Sequence, residues 1–372
     1  MLALVGSIMK IGNGKRKNHS NESQSLIRTS PNFFLCLLAA SILWIGCAKT
    51  LAADAFMTVT GLTMGTSFTV KIVTPERTTW QLTKESVEAD INERLLQVNL
   101  QMSTYMTQSE LSKFNRYQGT DWFPVSADLA KVLRQSIKTS ELSHGAFDMT
   151  VGPLVNLWGF GPENRPTKIP SDRDIETRKA LIGYANVTVR LQPPAVKKSK
   201  PGIYCDLSAI AKGFGVDKVA EYLEKSGIEN YMVEIGGEVR TRGHNATGTA
   251  WRIGVESPDN PAGIEKVLLI SDRAIATSGD YFNYFEENGV RYSHTIDPRT
   301  GRPITHTLAS VTVVHTSCMV ADAFATAIDV LGPEKGFDFA VQQNLPVFML
   351  IRHEGQFVEK MTPNFRELLA TN

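Results

Sequence analysis

The spacing of apolar residues divides this sequence into strands and helices. Residues 57–74 alternate apolar and polar side chains on both sides of Met64-Gly65-Thr66, which predicts a β-hairpin with its turn there. Apolar residues recur at helical spacing in residues 86–100, and the same period predicts a helix from Ser126 towards Ser143. Further strands are predicted at residues 231–235, 238–240, 251–255, 267–270, 311–315 and 346–351.

Other stretches follow neither period. Residues 151–161 are crowded with glycine and aromatic residues, which predicts either a backbone that a planar ligand approaches closely or a connector packed under Trp158. Residues 162–179 and 193–201 are rich in proline and charge and are predicted to be surface loops. The tail from Thr362 is predicted to be peripheral.

The apolar segment Met319–Ile328 differs from the others because it carries a carboxylate and a hydroxyl. Its alanine-rich pattern predicts a helix that ends at Gly332-Pro333, and Asp322 and Thr326 share one face of it. Two oxygen ligands one turn apart suit a hard cation such as Mg²⁺. The alternative, which spacing alone favours, is that Asp322 pairs with a cationic side chain or faces solvent while Thr326 bonds to its own helix.

Two further segments carry candidate chemistry. Residues 205–225 predict a strand end followed by a helix, and Lys212 near the helix N-terminus would add charge for binding a phosphate. The alternative is a lysine that is simply solvated. His294 stands just before a turn formed by Asp297-Pro298 and Thr300-Gly301. It is a candidate general base, with a structural or exposed histidine as the alternative.

The combination of hairpin strands and clustered helices predicts an α+β fold with mainly antiparallel sheets flanked by helices. The chain has 372 residues, 42% of them hydrophobic, which is enough for a sizeable core. A net charge of +1 and an isoelectric point near 7.7 supply no basic field, so no nucleic-acid partner is expected. Cys205 and Cys318 are expected to be separate buried thiols, with one disulfide as the alternative.

The N-terminal residues predict export. Basic residues between Lys10 and Arg28 precede an apolar run, residues 33–46, that is short for a membrane-spanning helix. Ile45-Gly46-Cys47 resembles a bacterial lipoprotein processing site, although Trp44 replaces the usual leucine; cleavage after residue 52 or 53 is the alternative. We therefore expect residues 1–53 to be an export signal with a lipoprotein-type segment. Residues 54–372 would then lie outside the cytoplasm and form one large domain or two ordinary ones.

Eight short motifs, in this order, resemble those of the ApbE family of FAD:protein FMN transferases. They are Met64-Gly65-Thr66, Met102-Ser103-Thr104-Tyr105, Gly145-Ala146-Phe147-Asp148, Trp158-Gly159-Phe160-Gly161, Asp206 to Gly213, Ala276 to Tyr281, Ser293 to Gly301 and Ala321 to Thr326. Each motif is short, but their shared order is specific and spans nearly the whole chain after the signal. The resemblance implies that residues 54–372 form one domain with an ApbE-like, T-fold-like core, on the periplasmic side of the bacterial inner membrane.

The resemblance also implies a set of site residues. Mg²⁺ would be bound by Asp322, Thr326 and the backbone carbonyl of Ala209. His294 would take the proton of an attacking hydroxyl, with Asp206 or Asp280 assisting it or orienting the water ligands of the metal. FAD would be contacted by Met64, Tyr105, Ala146, Phe147, Asp148, Lys212, His294, Ile296 and Asp297.

The implied reaction is the Mg²⁺-dependent transfer of FMN from FAD to a Thr or Ser hydroxyl of a target flavoprotein, with release of AMP. Exported subunits of respiratory complexes are the expected targets, and a lipid anchor at Cys47 would hold the enzyme at the membrane. Two alternatives stay open. One is an FAD pyrophosphatase in which water replaces the target hydroxyl; the other is an FAD-binding lipoprotein without catalysis, which would release no AMP.

Overall fold

The computed structural model describes residues 2–3, 56–74, 82–162, 169–258, 260–279, 284–287 and 290–369. These described residues belong to one compact unit. Almost all of the predicted export signal, including Cys47, lies outside the described residues, as does Asp280. Within these ranges no helix has the length and apolar character needed to cross a membrane.

An antiparallel sheet of eight strands forms the centre of the domain. The predicted hairpin is confirmed, because its two strands pair from Phe56↔Val73 to Thr63↔Thr66 across Met64-Gly65, where both residues have positive φ. In spatial order the strands are β18 (Gln356–Met361), β17 (Val347–His353), β16 (Leu308–His315), β11 (Ala274–Gly279), β8 (Glu238–Arg242), β7 (Tyr231–Ile235), β3 (Thr66–Val73) and β2 (Phe56–Thr63).

Smaller sheets surround this centre. One contains β5 (Val187–Leu191), β6 (Pro194–Lys198) and β4 (Phe123–Pro124), and another contains β9 (Trp251–Ser257), β10 (Asn260–Ile270) and the short β1 (Leu2–Ala3). Two further pairs are β12 (Tyr284–Glu287) with β13 (Val290–Ser293), and β14 (Ile296–Asp297) with β15 (Arg302–Pro303). The predicted α+β fold with mainly antiparallel sheets is confirmed.

Side-chain alternation gives the central sheet two apolar faces. Val70 and Val233 project to the face covered by the helices Lys84–Met102 and Ala211–Lys225, whereas Met232 and Ile275 project to the face covered by β9 and β10. The helices are α1 (Lys84–Met102), α2 (Glu110–Arg116), α3 (Ala127–Leu142), α4 (Gly152–Leu157), α5 (Asp172–Lys179), α6 (Ala211–Lys225), α7 (Cys318–Gln342) and α8 (Pro363–Arg366), with a 3₁₀ turn at Tyr184–Asn186.

Residues 152–157 form α4 beside a buried Trp158, whose indole N–H donates to the Gly301 carbonyl at 2.9 Å, which agrees with a connector packed under Trp158. Three predictions of surface loops or peripheral structure are wrong. A capping box at Ser171 starts α5 within a predicted loop, and Pro194 is the first residue of β6, a position that proline tolerates. The C-terminal tail is not peripheral, because Phe365 of α8 is fully buried.

Helix α7 is interrupted where the sequence predicted its end. Gly332 has φ 80° and ψ −176°, outside the helical range, and Pro333 follows it. The chain then continues as a helix to Gln342. The sequence analysis did not predict this continuation, because it took Gly332-Pro333 as the end of the helix. Cys205 and Cys318 are both buried free thiols, as expected.

Candidate functional site

A buried carboxylate from a neighbouring helix fixes the N-terminus of α7. Asp217 of α6 accepts hydrogen bonds from the Ser317 hydroxyl (2.7 Å) and from the backbone amides of Cys318 (3.0 Å) and Met319 (3.1 Å). Arg240 of β8 donates to the same carboxylate at 2.8 Å. These bonds satisfy amides that lack partners at a helix start, and they join α7 to α6 and the sheet just before the candidate ligands.

Asp322 lies against the start of α6. Its side chain is buried, and its Oδ2 accepts the backbone N–H of Gly213 at 2.9 Å. Gly213 permits this approach, since a Cβ there would lie 2.3 Å from the Cys318 carbonyl oxygen. In a continuous helix that N–H would donate to the carbonyl four residues earlier, which is Ala209. Donation to Asp322 therefore leaves the Ala209 carbonyl available for another ligand.

One lysine lies between two buried carboxylates. Lys212 Nζ is 2.8 Å from Glu238 Oε1 and 3.8 Å from Asp322 Oδ1. Burial alone lowers the pKa of Lys212, but the charges of Asp322 and Glu238 outweigh it and raise the pKa. Burial raises the pKa of Glu238 to about 7 and also raises the pKa of Asp322, with Lys212 opposing both shifts. Because two carboxylates share one cation, the cluster has excess negative charge when both are ionised.

A cavity beside α7 brings seven of the predicted site residues together. Thr326 lines it from α7, where its hydroxyl is 3.4 Å from Ser278 Oγ of β11. Ala209 lines it from the segment before α6, so two of the three candidate metal ligands meet at this opening. The lining residues are Ala146, Phe147, Asp148, Met149, Val151, Val155, Asp206, Ser208, Ala209, Ile296, Pro298, Thr326 and Val330.

The two aspartates of this cavity are oriented by their own loops. Asp148 Oδ1 accepts the backbone N–H (2.7 Å) and hydroxyl (2.6 Å) of Thr150, and its Oδ2 accepts the N–H of Tyr184 at 2.9 Å. Burial raises the pKa of Asp148, and these bonds oppose the shift. Asp206 Oδ1 accepts the backbone N–H (2.8 Å) and hydroxyl (2.6 Å) of Ser208. Both carboxylates are thus held in place before any ligand binds.

The segment that carries the predicted base is tied to α7. His294 lies between β13 and β14, and its ring meets that of Phe160 edge-on with centroids 6.3 Å apart. The next residue, Thr295, donates its hydroxyl to Asp329 of α7 at 3.0 Å. Because Asp329 follows Asp322 by two turns, one helix supports both the candidate metal ligands and the candidate base.

Five predicted FAD contacts do not line this cavity: Lys212 and His294, described above, and Met64, Tyr105 and Asp297. Tyr105 is 68% exposed, and partial burial together with the charge of Asp206 raises the pKa of its phenol. The side chain of Met64 packs against the start of α6. Asp297 accepts two guanidinium N–H groups of Arg299, each at 2.8 Å, so its carboxylate is engaged within its own turn.

The donors around Asp322 fit a hard divalent cation. A carboxylate, the Thr326 hydroxyl and the Ala209 carbonyl are all oxygen ligands, which Mg²⁺ prefers, and the excess negative charge beside Lys212 favours a cation. The described part of the chain holds no group of three or more His, Cys, Asp or Glu side chains placed to bind a metal. A site here would therefore combine one carboxylate with neutral oxygens and with water or substrate.

Glu238 is a member of this cluster that the sequence analysis did not identify. It is 3% exposed, begins β8 and pairs with Ile235 across Gly236-Gly237. The available signal was the position of this glutamate, directly after a glycine pair and at the start of a predicted strand. A carboxylate there indicates a partner, because carboxylates are rarely buried without one. Its partner, Lys212, could be found only from the fold.

The fold and the site together define an α+β protein in which a buried lysine–carboxylate cluster and a set of oxygen donors lie beside one cavity. The sequence profile of the ApbE family matches residues 64–349. The chain belongs to the ApbE family.

Proteins named FAD:protein FMN transferase are similar over most of the chain. Those of Vibrio cholerae and Escherichia coli K12 are 44% and 38% identical, each over 91% of this chain and over 99% and 97% of their own lengths. The flavin transferase ApbE structure from Vibrio cholerae has a TM-score of 0.78 at 44% identity, covering 84% of this chain and 98% of that one. The apo flavinyl transferase ApbE from Pseudomonas stutzeri has a TM-score of 0.78 at 37% identity, covering 86% and 98%.

Proposed function

We propose that this protein is an FAD:protein FMN transferase that requires Mg²⁺, joins FMN to a Thr or Ser hydroxyl of a target flavoprotein and releases AMP. The observation that supports it is the contact of Asp322 with Lys212, one helical turn before Thr326, which lines a cavity together with Ala209, in a chain whose relatives have that name. The FAD pyrophosphate carries several negative charges. The Lys212 ammonium offers it complementary positive charge.

The proposed reaction exchanges one phosphorus–oxygen bond for another. The acceptor hydroxyl oxygen forms a bond to the phosphorus of FMN, and the bond from that phosphorus to the bridging oxygen breaks. AMP leaves with the bridging oxygen and its electron pair. An imidazole nitrogen of His294 receives the hydroxyl proton, because a neutral hydroxyl is a poor nucleophile.

The remaining roles follow from the same set of residues. Asp322, Thr326 and the Ala209 carbonyl would hold Mg²⁺, which when bound would neutralise charge on the leaving phosphate. Asp206 and Asp280 are proposed to assist His294. The proposed FAD contacts are Met64, Tyr105, Ala146, Phe147, Asp148, Lys212, His294, Ile296 and Asp297.

We also propose that the protein is exported and acts on the periplasmic side of the inner membrane, anchored by a lipid at Cys47. The basic and apolar runs before Cys47 support this location. The acceptors would then be exported flavoprotein subunits of respiratory complexes, which share that compartment.

The test measures AMP release and covalent flavin in one reaction. The protein is incubated with FAD and Mg²⁺, with an exported acceptor domain that carries a candidate threonine or with its threonine-to-alanine form. Flavin fluorescence is then read on the denatured acceptor. Asp322→Ala should abolish both signals, whereas Asp338→Asn, an exposed position on the same helix, should leave them unchanged.

The outcomes separate the candidate functions. Flavin on the threonine acceptor alone, lost with Asp322→Ala, is the expected result. AMP release without labelled acceptor across a panel of exported flavoproteins would indicate a pyrophosphatase. FAD binding without AMP release would contradict both enzymatic functions.

A further inference from the structure

Glu238 has a buried oxygen that its neighbours do not use. Its Oε1 receives the Lys212 ammonium at 2.8 Å, whereas its Oε2 is shielded from solvent and has no hydrogen-bond partner among the residues described. A buried carboxylate oxygen without a donor is unfavourable for folding. Packing alone does not account for a charged side chain at this position, which points to a role in the site.

Lys212 contacts two anions at different distances. Its ammonium makes a short contact with Glu238 and a longer one, 3.8 Å, with Asp322 Oδ1. The other oxygen of Asp322 is occupied by the Gly213 amide. Asp322 Oδ1 is therefore the oxygen for which the ammonium and a bound cation would compete. The position of Lys212 decides how available that oxygen is.

We propose that Glu238 is a positioning residue that holds the Lys212 ammonium away from Asp322 and so keeps Asp322 available to a divalent cation. This inference rests on the proposed function, because it takes Asp322 as a ligand of Mg²⁺. With Glu238 ionised, the short contact of Lys212 forms there. Without that charge, Asp322 is the remaining partner in contact with the ammonium, which then competes with the cation.

A second explanation for any effect of Glu238 is its negative charge alone. A charge acts on a bound cation whether or not Lys212 is present, whereas a positioning role disappears when Lys212 is removed. A double-mutant cycle between the two residues separates these explanations. The variants are Glu238→Gln, which keeps the shape of the side chain, Lys212→Met, which keeps its length, and the combination.

The experiment is Mn²⁺ binding to the full chain, without FAD, followed by isothermal titration calorimetry. We expect Glu238→Gln to weaken binding about 10-fold, the size of effect seen when a residue supporting a metal ligand is removed. In the Lys212→Met background the same substitution should change the affinity by less than about 2-fold. Lys212→Met alone should not weaken binding, because it removes the competing cation. Circular dichroism checks that each variant is folded.

Several results would overturn the inference. Equal losses in the two backgrounds would mean that Glu238 acts through its charge alone, and an unchanged affinity for Glu238→Gln would exclude a role. If Glu238→Gln does not fold, a tenfold loss in Lys212→Met would contradict competition by the ammonium. No Mn²⁺ binding by the unsubstituted chain would overturn the inference, because there would be no affinity for Glu238 to maintain. Flavin transfer is measured separately, so normal Mn²⁺ binding without the predicted coupling would leave the transferase proposal intact.

Discussion

Replacing Asp217 with asparagine tests whether the start of α7 depends on a buried charge. The Asp217 carboxylate is 5% exposed and accepts four hydrogen bonds, three from the start of α7 and one from Arg240. Asparagine has nearly the same shape but only one acceptor oxygen, and its amide group would face donors. Arg240 keeps its contact with Glu224 at 2.9 Å, so the expected loss concerns the bonds of Asp217 itself.

The magnitude follows from those bonds. A hydrogen bond to a charged group contributes about 1.5–3 kcal/mol, and breaking a buried ion pair from one side costs about 3–5 kcal/mol. We expect Asp217→Asn to lower the free energy of unfolding by about 3–5 kcal/mol, which is a large part of the roughly 5–15 kcal/mol of an ordinary domain. Urea unfolding followed by circular dichroism measures it, with EDTA present so that metal binding does not contribute.

Asp128→Asn is the matched control. Asp128 pairs with Lys218 at 3.0 Å, but both side chains are partly exposed, so its loss should be below about 1 kcal/mol. A loss of less than about 1 kcal/mol for Asp217→Asn as well would refute the argument that this carboxylate fixes α7. If Asp217→Asn shows the expected loss of unfolding free energy but the folded protein binds Mn²⁺ with unchanged affinity, only the link between Asp217 and the candidate metal site is refuted.

Three further predictions concern single residues. The unsubstituted protein should lose stability relative to Glu238→Gln as pH rises from about 5 to 8, because the pKa of Glu238, raised to about 7, makes its ionisation in the fold unfavourable. Urea unfolding in EDTA measures this, and parallel curves of unfolding free energy against pH for the two proteins would contradict it. Gly213→Ala should lower the free energy of unfolding by about 1–3 kcal/mol and weaken Mn²⁺ binding, because the added Cβ meets the Cys318 carbonyl oxygen. An unchanged melting temperature would show that α6 and α7 can move apart to accommodate the Cβ. Lys198→Met should lower the unfolding free energy by about 1–3 kcal/mol, because the ammonium donates to three buried backbone carbonyls. Flavin transfer by the folded protein should persist. An unchanged unfolding free energy in urea would contradict the predicted loss of stability.

Local patterns predicted the elements that depend on neighbouring residues. The hairpin around Met64-Gly65 and the helix after Ser126 have their turn and cap residues within a few positions, so sequence spacing was sufficient. The missed α5 also begins with a local signal, the capping box at Ser171. Composition obscured it, because the proline and charge content of the surrounding stretch predicted a loop.

Contacts between distant segments could not be predicted from spacing. Asp217 and Cys318 are 101 positions apart in the sequence, and the amide of Gly213 reaches Asp322 over 109. Nothing in either segment indicates the other, because such contacts depend on how α6 and α7 pack on the sheet. The burial of Phe365 under β17 has the same origin, since its ring stacks on Phe348 with centroids 5.5 Å apart.

Sequence spacing left two alternatives for Asp322, a salt bridge or a metal ligand, and the proposed function combines them in one arrangement. Asp322 does face a lysine, but at 3.8 Å, while the short contact of that lysine goes to Glu238. A salt bridge that only neutralised Asp322 would have no need of a second buried carboxylate. Because burying Glu238 raises its pKa and leaves one of its oxygens without a donor, the cluster is destabilised as an isolated group of charges. Under the proposed function, a cation bound beside Asp322 would supply the positive charge that this cluster lacks, and a cation-dependent phosphoryl transfer requires such a charge.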